Sequence, residues 1–123
     1  PKYLRQISEK LKKMVKKDSF VYFDPPYRPL NKTSSFTSYS KNSFTDNEQI
    51  ELAQLFQRLN NKRIKLMLSN SDPKNSNPED DFFYCLYKNF NIFRIPAKRM
   101  INSKSSGRQE INEVLITNYN GEC

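Results

Sequence analysis

The sequence predicts an α/β fold, and three observations carry that expectation. Residues Phe20-Val21-Tyr22-Phe23 form a short apolar run of strand type that halts at Asp24-Pro25-Pro26-Tyr27. Helical periodicity flanks this run on both sides. A second strand-like run, Arg63 to Ser69, follows the downstream helix, and strand–helix–strand order implies a parallel pair.

In chain order, residues 3–17 read as a helix, because Leu4, Ile7, Leu11, Met14 and Val15 recur at three- and four-residue spacing with lysines between them. The strand at 20–23 is apolar on both faces, as expected where helices cover a sheet. Its end is abrupt because two consecutive prolines fix φ twice and remove two backbone donors. Residues 28–44 are polar, with Phe36, Tyr39 and Phe44 interspersed. They read as a long loop, either functional or simply superficial, and the aromatics argue against full disorder. Thr45 followed by Glu48 is a capping box. It opens a helix running to about Asn60, with Ile50, Ala53, Leu55, Phe56 and Leu59 as its core stripe. The strand at 63–69 centres on Ile64, Leu66 and Leu68, and residues 70–78 form a polar turn containing Pro73 and Pro78. A third helix is expected over about 79–89, where Cys85 reads as a buried thiol beside Phe82, Phe83, Leu86 and Tyr87. Strands near 91–96 and 113–119 follow, joined by a polar loop from Ala97 to Ile111. No helix separates them, so an antiparallel final hairpin is expected.

Composition narrows the function. The chain has 123 residues, enough for one small domain, and only 36% are hydrophobic. The net charge of +8 fits either a polyanion partner or a solvated basic face. One basic cluster, Lys10, Lys12, Lys13, Lys16 and Lys17, lies on the first helix and reads as mainly solubilising. A second, Lys98, Arg99, Lys104 and Arg108 with Arg94 beside it, lies in the polar loop and is the better candidate for phosphate contact. With no histidine and only two separated cysteines, Cys85 and Cys123, neither a metal site nor a Cys–His nucleophile is expected. No signal peptide or apolar run of membrane length is present, so a reducing cytoplasm without membrane attachment is the expected setting.

The turn Asp24-Pro25-Pro26-Tyr27 combines one carboxylate, backbone carbonyls without neighbouring N–H groups and one aromatic face, parts that suit a flat, hydrogen-bonding base. It resembles the catalytic loop of amino-methylating DNA methyltransferases, which carry Asp/Asn-Pro-Pro-aromatic after a strand. Further segments extend the likeness in order: Pro29-Leu30, Phe36-Thr37-Ser38-Tyr39, Asn42-Ser43-Phe44-Thr45, Leu68-Ser69-Asn70-Ser71, Ser105-Ser106-Gly107-Arg108 and Asn112-Glu113-Val114-Leu115-Ile116-Thr117-Asn118-Tyr119. Over roughly residues 18 to 119 the chain is similar to Dam-type adenine-N6 methyltransferases, closest to the bacterial GATC-methylating branch.

The resemblance implies the carboxyl-terminal half of a Rossmann-like class I methyltransferase sheet, mostly parallel, whose last strand inserts antiparallel. It implies Asp24, Pro25, Pro26 and Tyr27 as catalytic residues, and Asp24, Phe36 and Tyr39 near the cofactor, S-adenosylmethionine. It implies double-stranded DNA as substrate, contacted by Lys98, Arg99, Lys104 and Arg108, and activity at a bacterial nucleoid. Asp24 and Asn70, both expected just past strand ends, are placed to face one cleft, although Asn70 and Asp72 equally suit a turn-forming polar pair. The family's glycine-rich cofactor loop has no counterpart, since the only glycines are Gly107 and Gly121. Residues 1–123 are therefore expected to form one partial domain whose partner is the amino-terminal half of the same protein, with weak cofactor binding and an exposed first-strand edge. The first residue being proline fits a fragment or processed product. Two readings stay open beside this one: a non-catalytic nucleic-acid-binding remnant, and an RNA or protein-amide methyltransferase, although Asp24 and the downstream motifs favour DNA.

Overall fold

A computed structural model describes residues 2–16, 18–29, 44–100 and 108–119. The elements are α1 (Lys2–Met14), β1 (Phe20–Phe23), α2 (Asp46–Asn60), β2 (Lys65–Ser71), a 3-10 turn (Pro73–Asn75), α3 (Phe82–Leu86), β3 (Asn91–Met100) and β4 (Arg108–Thr117). The strands form one sheet in the order β1-β2-β4-β3.

The sheet is mixed. β1 pairs parallel to β2, with Phe23 opposite Leu68, as strand–helix–strand order requires. β4 lies antiparallel to both β2 and β3. Three strands thus share one direction, but insertion of β4 between β2 and β3 makes two of the three pairings antiparallel. The expected final hairpin is present, and it is longer than its apolar pattern indicated. Residues 97–100 and 108–111, expected in a polar loop, instead continue the β3–β4 ladder as far as Met100 opposite Arg108. Here β3 and β4 extend a ladder already anchored in the sheet, so inter-strand pairing carries the ribbon past the end of the apolar alternation. Pro96 is tolerated because β3 is the outer strand.

α2 is opened by the Thr45/Glu48 capping box, in which the Glu48 carboxylate accepts from the Thr45 amide at 3.3 Å. It buries Leu52, Ala53, Leu55, Phe56 and Leu59, with Leu52 taking the place expected for Ile50. These residues pack on Leu66, Leu68, Val114 and Ile116 of the sheet and on Phe83 and Tyr87. Phe56 is the hub, edge-on to Tyr87 at 5.3 Å and to Phe90 at 4.8 Å. α1 contributes Leu4 to this core but leaves Ile7 and Met14 exposed.

Four local expectations are corrected. α3 has only five residues. Phe83 and Tyr87, four apart, face the core, so Cys85 falls on the other side and is exposed, not buried. β1 is not covered on both faces: Phe20 and Tyr22 are 55% and 50% exposed, because no described helix lies over them. As expected, this strand forms a sheet edge with exposed aromatics. β2 extends to Ser71, so Asn70 is a strand residue rather than a turn residue.

That last shift matters for the site. Register and strand alternation place Leu66, Leu68 and Asn70 toward the α2 core, beside Val114 and Ile116. The other sheet face carries Tyr22, Met67, Ser69, Leu115, Glu113, Phe93 and Ile95. The carboxyl ends of β1 and β2 lie side by side.

Candidate active site

Asp24 is the first residue beyond β1, and its side chain is exposed at the strand's carboxyl end. Ser69 Oγ donates to Asp24 Oδ1 at 3.5 Å and shares a 2.7 Å hydrogen bond with the Tyr22 hydroxyl. Among the described residues, Asp24 Oδ2 and the Pro25 carbonyl accept no hydrogen bond. Both acceptors are therefore available to a ligand.

The rest of the turn is held closely. The Pro26 carbonyl accepts from Gln49 Nε2 of α2 at 3.1 Å. Gln49 Oε1 accepts in turn from Asn70 Nδ2 at 3.4 Å, and both side chains are completely buried. Asn70 Oδ1 receives the Arg28 amide at 2.9 Å and the Ser71 amide at 2.8 Å. A buried polar pair is costly unless satisfied, and here each bond it makes holds the turn or its strand. Asn70 is thus not a cleft residue facing Asp24, because its strand position turns it toward the core. Ser69, on the opposite face of β2, is the residue that reaches the carboxylate.

Tyr27 is half-buried, and its hydroxyl donates to Glu113 Oε2 of β4 at 3.1 Å. Burial lifts the phenol above its ordinary pKa, and the Glu113 carboxylate adds to the rise, so the hydroxyl stays protonated and keeps donating at neutral pH. Arg28 follows. Its guanidinium grips Asp46 through two bonds of 3.0 and 3.2 Å and Asp80 through one of 3.0 Å. Burial opposes the Arg28 charge, but the hydrogen bonds to Asp46 and Asp80 outweigh it and raise its pKa.

An open cleft of about 580 Å³ runs beside the turn. Its wall is mostly apolar, with Leu4, Ile7, Phe23, Phe44 and Leu52, and among the described residues that line it Asp24 is the only acidic one. Phe36, Tyr39 and Lys104 lie outside the described residues. The backbone register brings Lys98, Arg99 and Arg108 to the far end of the β3–β4 ribbon, with Lys98 opposite Glu110 and Arg99 opposite Gln109. Their side chains lie outside the description. Asp72 has a structural setting: fully buried, it binds Arg94 Nε at 2.6 Å and Tyr84 Oη at 3.2 Å, and accepts from the Lys74 amide at the start of the 3-10 turn. No group of three His, Cys, Asp or Glu side chains suited to a metal occurs among the described residues. No helix among them is long and apolar enough to cross a membrane.

Ser69, Gln49, Arg28 and Glu113 were not singled out from the sequence as parts of this site. Only the adjacency of Arg28 to the turn, the place of Ser69 in Leu68-Ser69-Asn70-Ser71 and that of Glu113 in the motif from Asn112 to Tyr119 hinted at them.

Comparison with known proteins identifies the family. Residues 5–101 match the family described as D12 class N6 adenine-specific DNA methyltransferase. The chain is 55% identical over 106 residues to type II methyltransferase M.MjaIII of Methanocaldococcus jannaschii, covering 85% of this chain and 35% of that protein. It is 45% identical over 111 residues to type II methyltransferase M1.LlaDCHI of Lactococcus lactis subsp. cremoris, covering 90% and 37% respectively. With the DNA adenine methylase of Escherichia coli K12 it shares 33% identity over 97 residues, 79% of this chain and 32% of that protein. The chain thus spans about a third of the length of the curated relatives it matches. A match over most of the chain, which includes the Asp-Pro-Pro-Tyr turn, places it in the D12 class of N6 adenine-specific DNA methyltransferases.

Proposed function

We propose that this chain carries the catalytic segment of an enzyme that transfers a methyl group from S-adenosylmethionine to adenine N6 in duplex DNA, within GATC. The observation that carries the reading is the pairing of two unengaged acceptors, Asp24 Oδ2 and the Pro25 carbonyl, on a turn whose following residues are fully anchored. Adenine N6 is a poor nucleophile because its lone pair is delocalised into the ring. Two acceptors aimed at its two protons favour the tetrahedral nitrogen and localise that lone pair. This is preorganised electrostatic stabilisation and needs neither histidine nor cysteine. The base reaches the turn only when flipped from the duplex, and the Tyr27 ring, steadied through its hydroxyl, offers a stacking face.

The mostly apolar cleft with Asp24 at its edge fits a donor that is part apolar and part cationic. When bound, S-adenosylmethionine supplies a methyl group activated by its sulfonium. We assign Asp24, Phe36 and Tyr39 to its contacts. The phosphate contacts are assigned to Lys98, Arg99, Lys104 and Arg108, in keeping with the net charge of +8. Residues 1–123 then act as one partial domain, completed by further parts of the enzyme that bind the cofactor and read the target.

The test is transfer of labelled methyl from S-adenosylmethionine to unmethylated GATC duplex by the native full-length protein beside its Asp24→Ala variant. Loss of one such acceptor is expected to lower the single-turnover rate by about 10²–10³-fold while DNA binding persists. DNA binding without any transfer by the native protein would sink the enzyme reading and leave a nucleic-acid-binding protein.

A further inference from the structure

Arg28 has a position for which the reaction outlined above assigns no role. Its Nε and Nη2 hold both oxygens of Asp46, at the start of α2, and its Nη1 holds Asp80 ahead of α3. The guanidinium carbon lies 4.2 Å from the centre of the Phe82 ring. Its main chain is held equally: its amide donates to Asn70, and its carbonyl accepts from Ser71 Oγ at 2.7 Å. One residue therefore ties the chain just after the turn to α2, to the end of β2 and to the approach to α3.

The turn between its two anchors is stiff. On one side, Phe23 is fixed in the β1–β2 ladder opposite Leu68. On the other stands Arg28. Between them Pro25 and Pro26 each lock φ. With φ locked at both prolines, only ψ rotations and Tyr27 can absorb a displacement at Arg28, so part of it reaches the Pro25 carbonyl and Asp24. A forked guanidinium that satisfies two carboxylates and stacks on an aromatic ring fixes an orientation that a point charge does not.

We infer that Arg28 is a positioning residue for methyl transfer, setting the two acceptors through the proline turn without touching substrate. This rests on the function proposed above.

The experiment compares native full-length protein, Arg28→Ala and Arg28→Lys in single-turnover methyl transfer to GATC duplex. Misplacement of this kind costs on the order of 10–100-fold in the rate constant. Arg28→Ala is expected to show that loss at full reaction amplitude, with the KM values for DNA and donor held within about threefold. Arg28→Lys is expected to recover little of it. Millimolar guanidinium chloride is expected to restore part of the Arg28→Ala rate by entering the space between Asp46, Asp80 and Phe82, whereas sodium chloride at the same ionic strength does not. A native rate constant in Arg28→Ala overturns the inference, and so does full recovery with lysine. So does a loss confined to amplitude, which is the mark of a smaller folded fraction. If Arg28→Ala does not fold, Asp80→Asn removes one partner and is expected to slow the single-turnover step, and an unchanged rate constant there overturns the inference. An inactive native protein would instead count against the proposed function itself.

Discussion

Asn70→Leu is the sharpest probe of how the catalytic turn is held. Leucine shares asparagine's branching and number of heavy atoms, so the substitution opens no cavity, and its bulkier methyl groups add some overpacking to the lost hydrogen bonds. Asn70 is completely buried. Its loss strands the Ser71 amide, the Arg28 amide and Gln49 Oε1. An orphaned buried group costs about 1–3 kcal/mol. The Ser71 bond is short and buried and counts near the middle of that range, the Arg28 bond is partly buried, and the 3.4 Å Gln49 bond is weak, so each of these two counts near its lower end. The expected total is about 4 kcal/mol, a large share of the ~5–15 kcal/mol that stabilises a typical domain. Urea unfolding of native, Asn70→Leu, Gln49→Leu and double-variant proteins gives both the loss and the coupling between the two residues. Because the singles each orphan the other's group, the double variant should lose less than their sum by more than about 0.5 kcal/mol. A loss below about 1 kcal/mol, or strict additivity, would refute the reading of Asn70–Gln49 as the frame of the turn.

Tyr87 buries its hydroxyl with no partner, and burial drives its pKa far upward, so Tyr87→Phe should raise stability by about 1 kcal/mol in thermal unfolding. Phe56, fully buried at the centre of the aromatic cluster, should cost about 3–5 kcal/mol when cut to alanine, seen as a fall in the urea midpoint. Burial opposes the Asp80 charge, but the hydrogen bonds from Arg28 and the Phe82 amide outweigh it and hold the carboxyl below its ordinary pKa. The stability this gives is fully present above the unfolded value of about 3.9 and is lost as pH falls through the lower folded value. Asp80→Asn should therefore flatten the acid limb of a urea-midpoint profile below about pH 4, while an unaltered profile would mean the Arg28 pair contributes nothing.

The sequence by itself determined β1, to the residue, and the rigid turn after it, because a proline pair acts on its own φ angles and donors. It determined the start of α2, because a capping box closes within three residues. It also carried the family, since the motif lies in one unbroken stretch. The tertiary structure alone decided where β4 runs, which side of β2 meets Asp24, and what holds Arg28. Strand insertion is a choice among partners distant in the chain, and no local period encodes it. A shift in the end of β2 turned Asn70 inward and put Ser69 beside the carboxylate, because neighbouring strand residues face opposite ways. Arg28 reaches Asp46 across 18 positions, Asn70 across 42 and Asp80 across 52. Contacts at such separations depend on the folded arrangement of β2, α2 and the approach to α3, and they leave no periodic trace in the order of residues.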